Sequence, residues 1–161
     1  MSSWWWLLPG AAALVTLAIA LVRRPLRERR LAGEYAQARR TFHQQRERLE
    51  AKFYQLAAAS GKPRGLRWTN CDFADDVAYA RDRQSSALCA FVGVTISFEA
   101  VAGGGMEEVE AVGNLRAATA VFRHGGGRWN TEGRAIFNLN PTEAIAYYQD
   151  DLVLVGQDAV S

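Results

Sequence analysis

Three hydrophobic rhythms follow one another along this chain, and each predicts a different kind of element. The first is continuous: no charged residue occurs between Trp4 and Val22. At the helical rise of about 1.5 Å per residue this run reaches roughly 28 Å, the hydrocarbon thickness of a bilayer. It predicts a transmembrane helix over residues 4–22, preceded by a short extracytoplasmic segment, residues 1–3. Trp4, Trp5 and Trp6 suit one membrane interface, since an indole ring is apolar in body and keeps one N–H to satisfy. Arg23, Arg24, Arg27, Arg29 and Arg30 mark the other interface. Arginine after the run and none before it places the N-terminus outside and the rest of the chain in the cytoplasm. Ala18-Ile19-Ala20 has the small-x-small form of a signal-peptidase site. A signal peptide, however, carries its positive charge ahead of the apolar run, which favours an uncleaved anchor.

The second rhythm has steps of three and four. Leu31, Tyr35, Ala38, Phe42, Leu49, Phe53 and Leu56 recur along a segment rich in Ala, Leu, Glu, Gln and Arg, which predicts a basic helical stalk over residues 23–60. Arg24-Pro25 predicts a kink or restart after the span, and Ser60-Gly61-Lys62-Pro63 a stop. A strict heptad walk from Leu31 meets Gln45 and then Lys52, so the seam is that of a short, imperfect coiled coil. The stripe has two readings: self-association along the stalk, or packing of Phe42 to Leu56 on the domain that follows.

The third rhythm, after a linker at residues 61–65, is alternation. It predicts an α+β domain over residues 66–158 with a tail at 159–161. Candidate strands are Leu66–Asp72, Val77–Arg83, Ala87–Val101, Leu115–His124 and Arg128–Leu139. Val92, Val94, Ile96 and Phe98 share one face of the longest. Gly125-Gly126-Gly127 reads as a hairpin turn. Asn140-Pro141-Thr142-Glu143 reads as a capped helix start, with Asn140 as N-cap and Glu143 in the capping-box position. The helix is expected to run to about Asp150, with Leu152–Val155 a last strand or packed tail. The fold class expected is therefore α+β: a transmembrane helix, a long juxtamembrane helix, a four- to five-stranded antiparallel sheet and a short C-terminal helix. The element order resembles the cystatin-like and nuclear-transport-factor-like arrangements, in which a helix packs in the curve of a sheet. That resemblance implies architecture and no function.

Charge sharpens the division. Up to Arg67 there are 13 Lys/Arg against 4 Asp/Glu, net +9, and from Trp68 onward 6 against 13, net −7. The total of +2 hides two oppositely charged segments. The basic half adjoins the predicted span, so anionic lipid headgroups are its expected partners, and nucleic acid is not, for want of a recognition motif. Arg- and Ala-rich usage points to a bacterial source.

Candidate chemistry is sparse. His43 reads as a solvated stalk residue and His124 as a turn residue, and neither has neighbours at metal-ligand spacing. Cys71 and Cys89 read as free thiols in a cytoplasmic domain. Asp72, Asp75 and Asp76 lack the glycine and the alternation of a calcium loop and read as a solvated turn. The glycine clusters lack phosphate-loop grammar. No catalytic set, cofactor or metal site is predicted. The expected function is a single-pass membrane-anchored interaction, accessory or scaffold module that binds a protein partner or itself. The alternative is a tethered ligand-binding or enzymatic domain with a pocket between helix and curved sheet, Glu99 or Asp72 supplying its polar group.

Overall fold

The computed structural model describes residues 7–60, 64–105 and 115–158, with side chains from Arg29 onward. The elements in chain order are α1 (Leu7–Ala59), β1 (Leu66–Asp82), β2 (Leu88–Ala100), β3 (Arg116–Gly125), β4 (Arg128–Asn130), β5 (Ala135–Phe137), α2 (Pro141–Tyr147) and β6 (Leu152–Asp158). The protein is α+β, with an antiparallel sheet and a short C-terminal helix. Among the described residues no helix is long and apolar enough to cross a membrane. The expected span at 4–22, its tryptophans Trp4, Trp5 and Trp6, and Arg23, Arg24 and Arg27 lie outside the residues whose side chains are described. The chain divides into two units, Met1–Arg40 and Thr41–Ser161. In the first, Arg29 and Arg30 are exposed, Leu31 and Tyr35 half-buried and Ala38 buried.

In the second unit the sheet order is β4-β3-β2-β1-β6, with β5 also pairing with β3. Among the described residues six strands therefore replace the four or five that alternation predicts, for two physical reasons. The segment Arg128–Leu139 is not one strand: Thr131 turns inward, its Oγ1 donating to Val121 O at 2.9 Å and accepting from Gly133 N at 3.1 Å. Gly133 then takes φ +73°, and its backbone lies against α1. Leu152–Asp158, in turn, pairs with β1 from Val77 to Asp82 and so completes a strand.

The opposite correction applies to β1, where two predicted strands are one. Asp72–Asp76 is not a turn but a bulge, in which Ala74, Asp75 and Asp76 face the single residue Gly93 across the ladder. A bulge leaves main-chain groups unpaired. Here Arg46 of α1 takes up two of them, donating to Asp75 O at 2.8 Å and to Ala74 O, while Glu50 Oε1 holds its Nε at 2.7 Å.

One face of the sheet carries Trp68, Phe73, Val77, Tyr79, Phe122 and Trp129, and α1 from Thr41 onward lies on it. Phe42 sits edge-on to Trp129, Phe122 and Tyr79, with ring centroids 4.9, 5.4 and 6.1 Å away. Phe53 meets Phe73, Phe122 and Trp68 at 5.7, 5.9 and 6.4 Å. Edge-on and tilted aromatic pairs at these distances are favourable beyond their buried area. Phe42, Leu49, Phe53 and Ala57 are buried, whereas Leu56 is 39% exposed. The opposite face carries a smaller cluster of Ala78, Ala80, Cys89, Phe91 and Ile136, covered by Ala144 and Ile145 of α2. Asn140 caps α2: its side chain accepts from Glu143 N at 2.9 Å, and Glu143 Oε2 accepts from Asn140 N at 2.9 Å.

Candidate functional site

The two faces differ in what they leave open. The α1 face is filled by aromatic rings. The α2 face is covered by a helix of only seven residues, and beside that helix a cavity of about 360 Å³ opens. Its floor is apolar, formed by Phe91 and Cys89 of β2, Val121 of β3, Ile136 of β5 and Leu152 of β6. Its rim is charged, with Arg123 and Asp82 on one side, Glu132 and Arg134 from the β4–β5 loop, and Asp151 from the α2–β6 turn.

Each rim group has a definite state. Asp82 accepts from Ser85 N at 2.8 Å and from Gln84 N at 3.0 Å, and it pairs with Arg123. The Ser85 N–H above all holds the Asp82 carboxyl below the usual carboxylate range, against the opposing effect of burial. The Arg134 guanidinium lies 5.2 Å from the centroid of the Tyr148 ring, a cation–π contact. Among the described residues Arg134 meets no acid within ion-pair distance, and the carboxylates of Glu132 and Asp151 meet no base. Burial pushes the Cys89 thiol up, so the cavity floor holds a neutral sulfhydryl rather than a nucleophilic thiolate.

The second open feature is a sheet edge. The β4 side is split into three-residue strands, and Lys52 Nζ closes on Asn130 Oδ1 at 2.6 Å. The β6 side is longer and apolar, reading Leu152-Val153-Leu154-Val155 with Leu154 50% exposed, and it contains neither Lys nor Pro. No described strand pairs with its outer side. Arg83 N donates to Asp151 O at 2.8 Å. Antiparallel bonding alternates every second residue, so Arg81–Val153 is a bonded pair and Ala80–Leu154 is not. The Leu154 N–H and C=O therefore point away from β1 to the open side. A bulge at Val155 bends the strand beyond that point.

The remaining candidate residues are accounted for elsewhere. His43 is not simply solvated: its Nε2 lies 3.1 Å from Asp158 Oδ2 and 3.3 Å from Tyr79 Oη, tying α1 to the end of β6. His124 lies against Trp129 at 5.1 Å, and burial lowers its pKa. Glu99 pairs with Arg67 at 2.7 Å on an exposed surface. Asp72 accepts from Asn70 at 3.0 Å and borders a second, open depression near Gly93 and Pro141. Neither acid reaches the cavity. Cys71 and Cys89 are free thiols, and burial, with help from Asp72, pushes the Cys71 thiol up to about 12. Among the described residues no group of His, Cys, Asp and Glu is placed to hold a metal.

Sequence reasoning missed the cavity because its walls come from five separate segments. The one local signal was Gly133, which interrupts an otherwise alternating run. Comparison with protein-family models, with curated proteins and with solved structures gives no match.

Proposed function

We propose that this protein is a single-pass membrane-anchored interaction module whose anchor is residues 4–22 and whose cytoplasmic α+β domain takes up a strand from a partner along β6. The open, apolar β6 edge carries the reading. An exposed edge without Lys or Pro is a template for strand addition. The occupant is an extended apolar segment of another protein with basic residues at its ends. Asp150 and Asp151 precede the apolar stretch and Asp158 follows it, with no basic residue between them. Pairing β6 with a second copy about Leu154 sets Asp158 opposite Asp150, and centring it one half-step later sets Asp158 opposite Asp151. Like charges directly opposite are destabilising.

The reading places the basic stalk of residues 23–60 against anionic headgroups. A ligand pocket between α1 and the sheet is the weaker alternative, because Phe42, Phe53, Phe122 and Trp129 fill that space.

The test uses the full chain in detergent and two labelled peptides, each an alternating Val/Thr hexamer, one flanked by Lys and one by Asp. The Lys-flanked peptide is expected to bind at least tenfold more tightly by fluorescence anisotropy. Leu154→Pro removes an N–H that makes no bond to β1, and it is expected to abolish that binding and leave the circular dichroism spectrum unchanged. Equal binding of both peptides, or binding indifferent to Leu154→Pro, overturns the edge reading, and a crosslinked homodimer through Leu154 overturns the choice of occupant. For topology, a reporter fused after Ser161 is expected to be active only in the cytoplasm; activity across the membrane refutes the orientation.

A further inference from the structure

The cavity on the α2 face has a composition that the edge reading does not use. It combines an apolar floor with three exposed charged groups that meet no counter-charge among the described residues: one guanidinium, on Arg134, and two carboxylates, on Glu132 and Asp151. These are not placed at random around the rim. Glu132 and Arg134 come from one short loop, fixed by the Thr131 hydrogen bonds and by the close approach of Gly133 to α1. Asp151 comes from the turn that begins β6. Tyr148 lies beside the Arg134 guanidinium, its ring centroid 5.2 Å away, without neutralising it. A guanidinium in that state keeps its planar fork of N–H donors free for a carboxylate.

We infer that the cavity is a binding site for a small apolar zwitterion, of the class of a free apolar amino acid or a dipeptide. Arg134 takes the ligand carboxylate, and Glu132 or Asp151 takes its ammonium group. The side chain lies on Phe91, Val121 and Ile136. The chemistry of the ligand follows from what the rim lacks: a carboxylate for the guanidinium and an ammonium for a carboxylate, on one molecule small enough for the space. A volume of about 360 Å³ is at the small end of ligand pockets, which span roughly 300–1,000 Å³. A lipid-sized ligand does not fit it. A simple anion leaves both acids and the apolar floor unused, and a simple cation leaves Arg134 unused.

The test is isothermal titration of the detergent-solubilised full chain with L-phenylalanine and with the dipeptide Leu-Phe. N-acetyl-phenylalanine, which lacks the ammonium, and phenylalanine amide, which lacks the carboxylate, are the paired controls. One of the two zwitterions is expected to bind saturably, and each control at least tenfold more weakly. Arg134→Ala is expected to abolish binding. Glu132→Gln and Asp151→Asn together are expected to remove the discrimination between the zwitterion and its N-acetyl form. Because the ligand controls act on the unaltered protein, the result does not depend on a variant folding. No saturable binding of either zwitterion, or equal binding of the free and acetylated forms, overturns the inference. Leu154→Pro is expected to leave zwitterion binding intact, so failure of the edge reading and failure of this one are separable.

Discussion

Gly133 is the residue on which the division between the two faces turns, and replacing it by alanine tests that geometry. It adopts φ +73°, where an L side chain is strained, and a Cβ built there meets Ala57 N at 2.7 Å and Leu56 Cβ at 2.7 Å. The first effect costs about 1–3 kcal/mol. The second is an overlap with helix backbone, which cannot swing aside as a side-chain tip can, and overpacking of this kind costs about 1–3 kcal/mol. Together they remove about 2–6 kcal/mol from a domain whose total stability is of order 5–15 kcal/mol. Two other glycines separate the terms. Gly126 has φ +58° with nothing within 4 Å of a Cβ, so Gly126→Ala is expected to lose only the conformational part, about 1–2 kcal/mol. Gly125 has neither a positive φ nor a neighbour, and Gly125→Ala is expected to stay within about 0.5 kcal/mol of the parent. The assay is urea unfolding of the full chain in detergent, followed by near-ultraviolet circular dichroism from the buried Trp68 and Trp129. With a urea dependence of about 1–3 kcal/mol/M, Gly133→Ala is expected to move the midpoint down by about 1 M or more. If Gly133→Ala is no worse than Gly126→Ala, the β4–β5 loop does not lie against the helix backbone, and the placement of Glu132 and Arg134 at the cavity loses its cause.

Other consequences follow from the same packing. Phe42→Ala, at a site with no exposure, is expected to cost about 3–5 kcal/mol, while Leu56→Ala on the same helix, 39% exposed, costs under about 1 kcal/mol by the same unfolding assay. Arg46→Ala leaves the β1 bulge carbonyls without their donor and is expected to cost about 1.5–3 kcal/mol, with hydrogen exchange accelerating at Ala74–Val77. Because the Cys71 thiol is pushed up to about 12, its thiolate is scarce in the folded state. Iodoacetamide labelling of Cys71 is therefore expected to keep rising with pH beyond 9 in folded protein, and to level off near the ordinary thiol pKa once the chain is unfolded. The linkage has the matching sign. The fold favours the neutral thiol, so this group's contribution is full below the unfolded thiol pKa, is lost as pH rises from about 9 towards 12, and is absent in Cys71→Ala.

How much of this was legible in the sequence depends on the range of the interaction that decides each element. The α2 cap is local: Asn140 and Glu143 bond to each other across three residues and Pro141 takes the first helical turn, so the start of the helix can be read directly. The alternation of β2 is also local, and its strand follows the predicted one to within a residue at each end. The acidic group Asp72–Asp76 was not legible as strand, because what makes it strand is Arg46, some 30 residues earlier, supplying donors to a bulge. The run Arg128–Leu139 was not legible as two strands, because the break depends on Val121 O and on helix backbone at Ala57. On α1, heptad spacing selects Leu56, whereas the buried position is Ala57, one residue on. A helix against a sheet is not held to the 3.5-residue period of a coiled coil, and small residues let backbones approach. The cavity lies at the far end of this scale, since its walls come from five separate stretches of chain.

The same contrast of faces bears on how such a domain can bind at all. Between Thr41 and Ala59 the apolar side of α1 is spent: Phe42, Leu49 and Phe53 are buried in the sheet's own aromatic core, and a partner that reached for them has to displace α1 at a cost comparable to the stability of the domain. Binding without unfolding must therefore use what the core leaves over. The β4 edge is broken into short strands and the α1 face is filled. Besides the open depression near Gly93, the core leaves over, among the described residues, the α2 face, where a seven-residue helix leaves an apolar floor with Glu132, Arg134 and Asp151 unmatched at its rim, and the β6 edge, where Leu154 turns an N–H and a C=O outward. The two adjoin at Asp151 and Leu152, which end one and begin the other. A ligand that engages Asp151 also fixes the turn from which β6 starts, so occupancy of the cavity should tighten the edge strand. With phenylalanine bound, slower hydrogen exchange at Leu152–Leu154 is the expected result, and unchanged exchange there means that the cavity and the edge act independently.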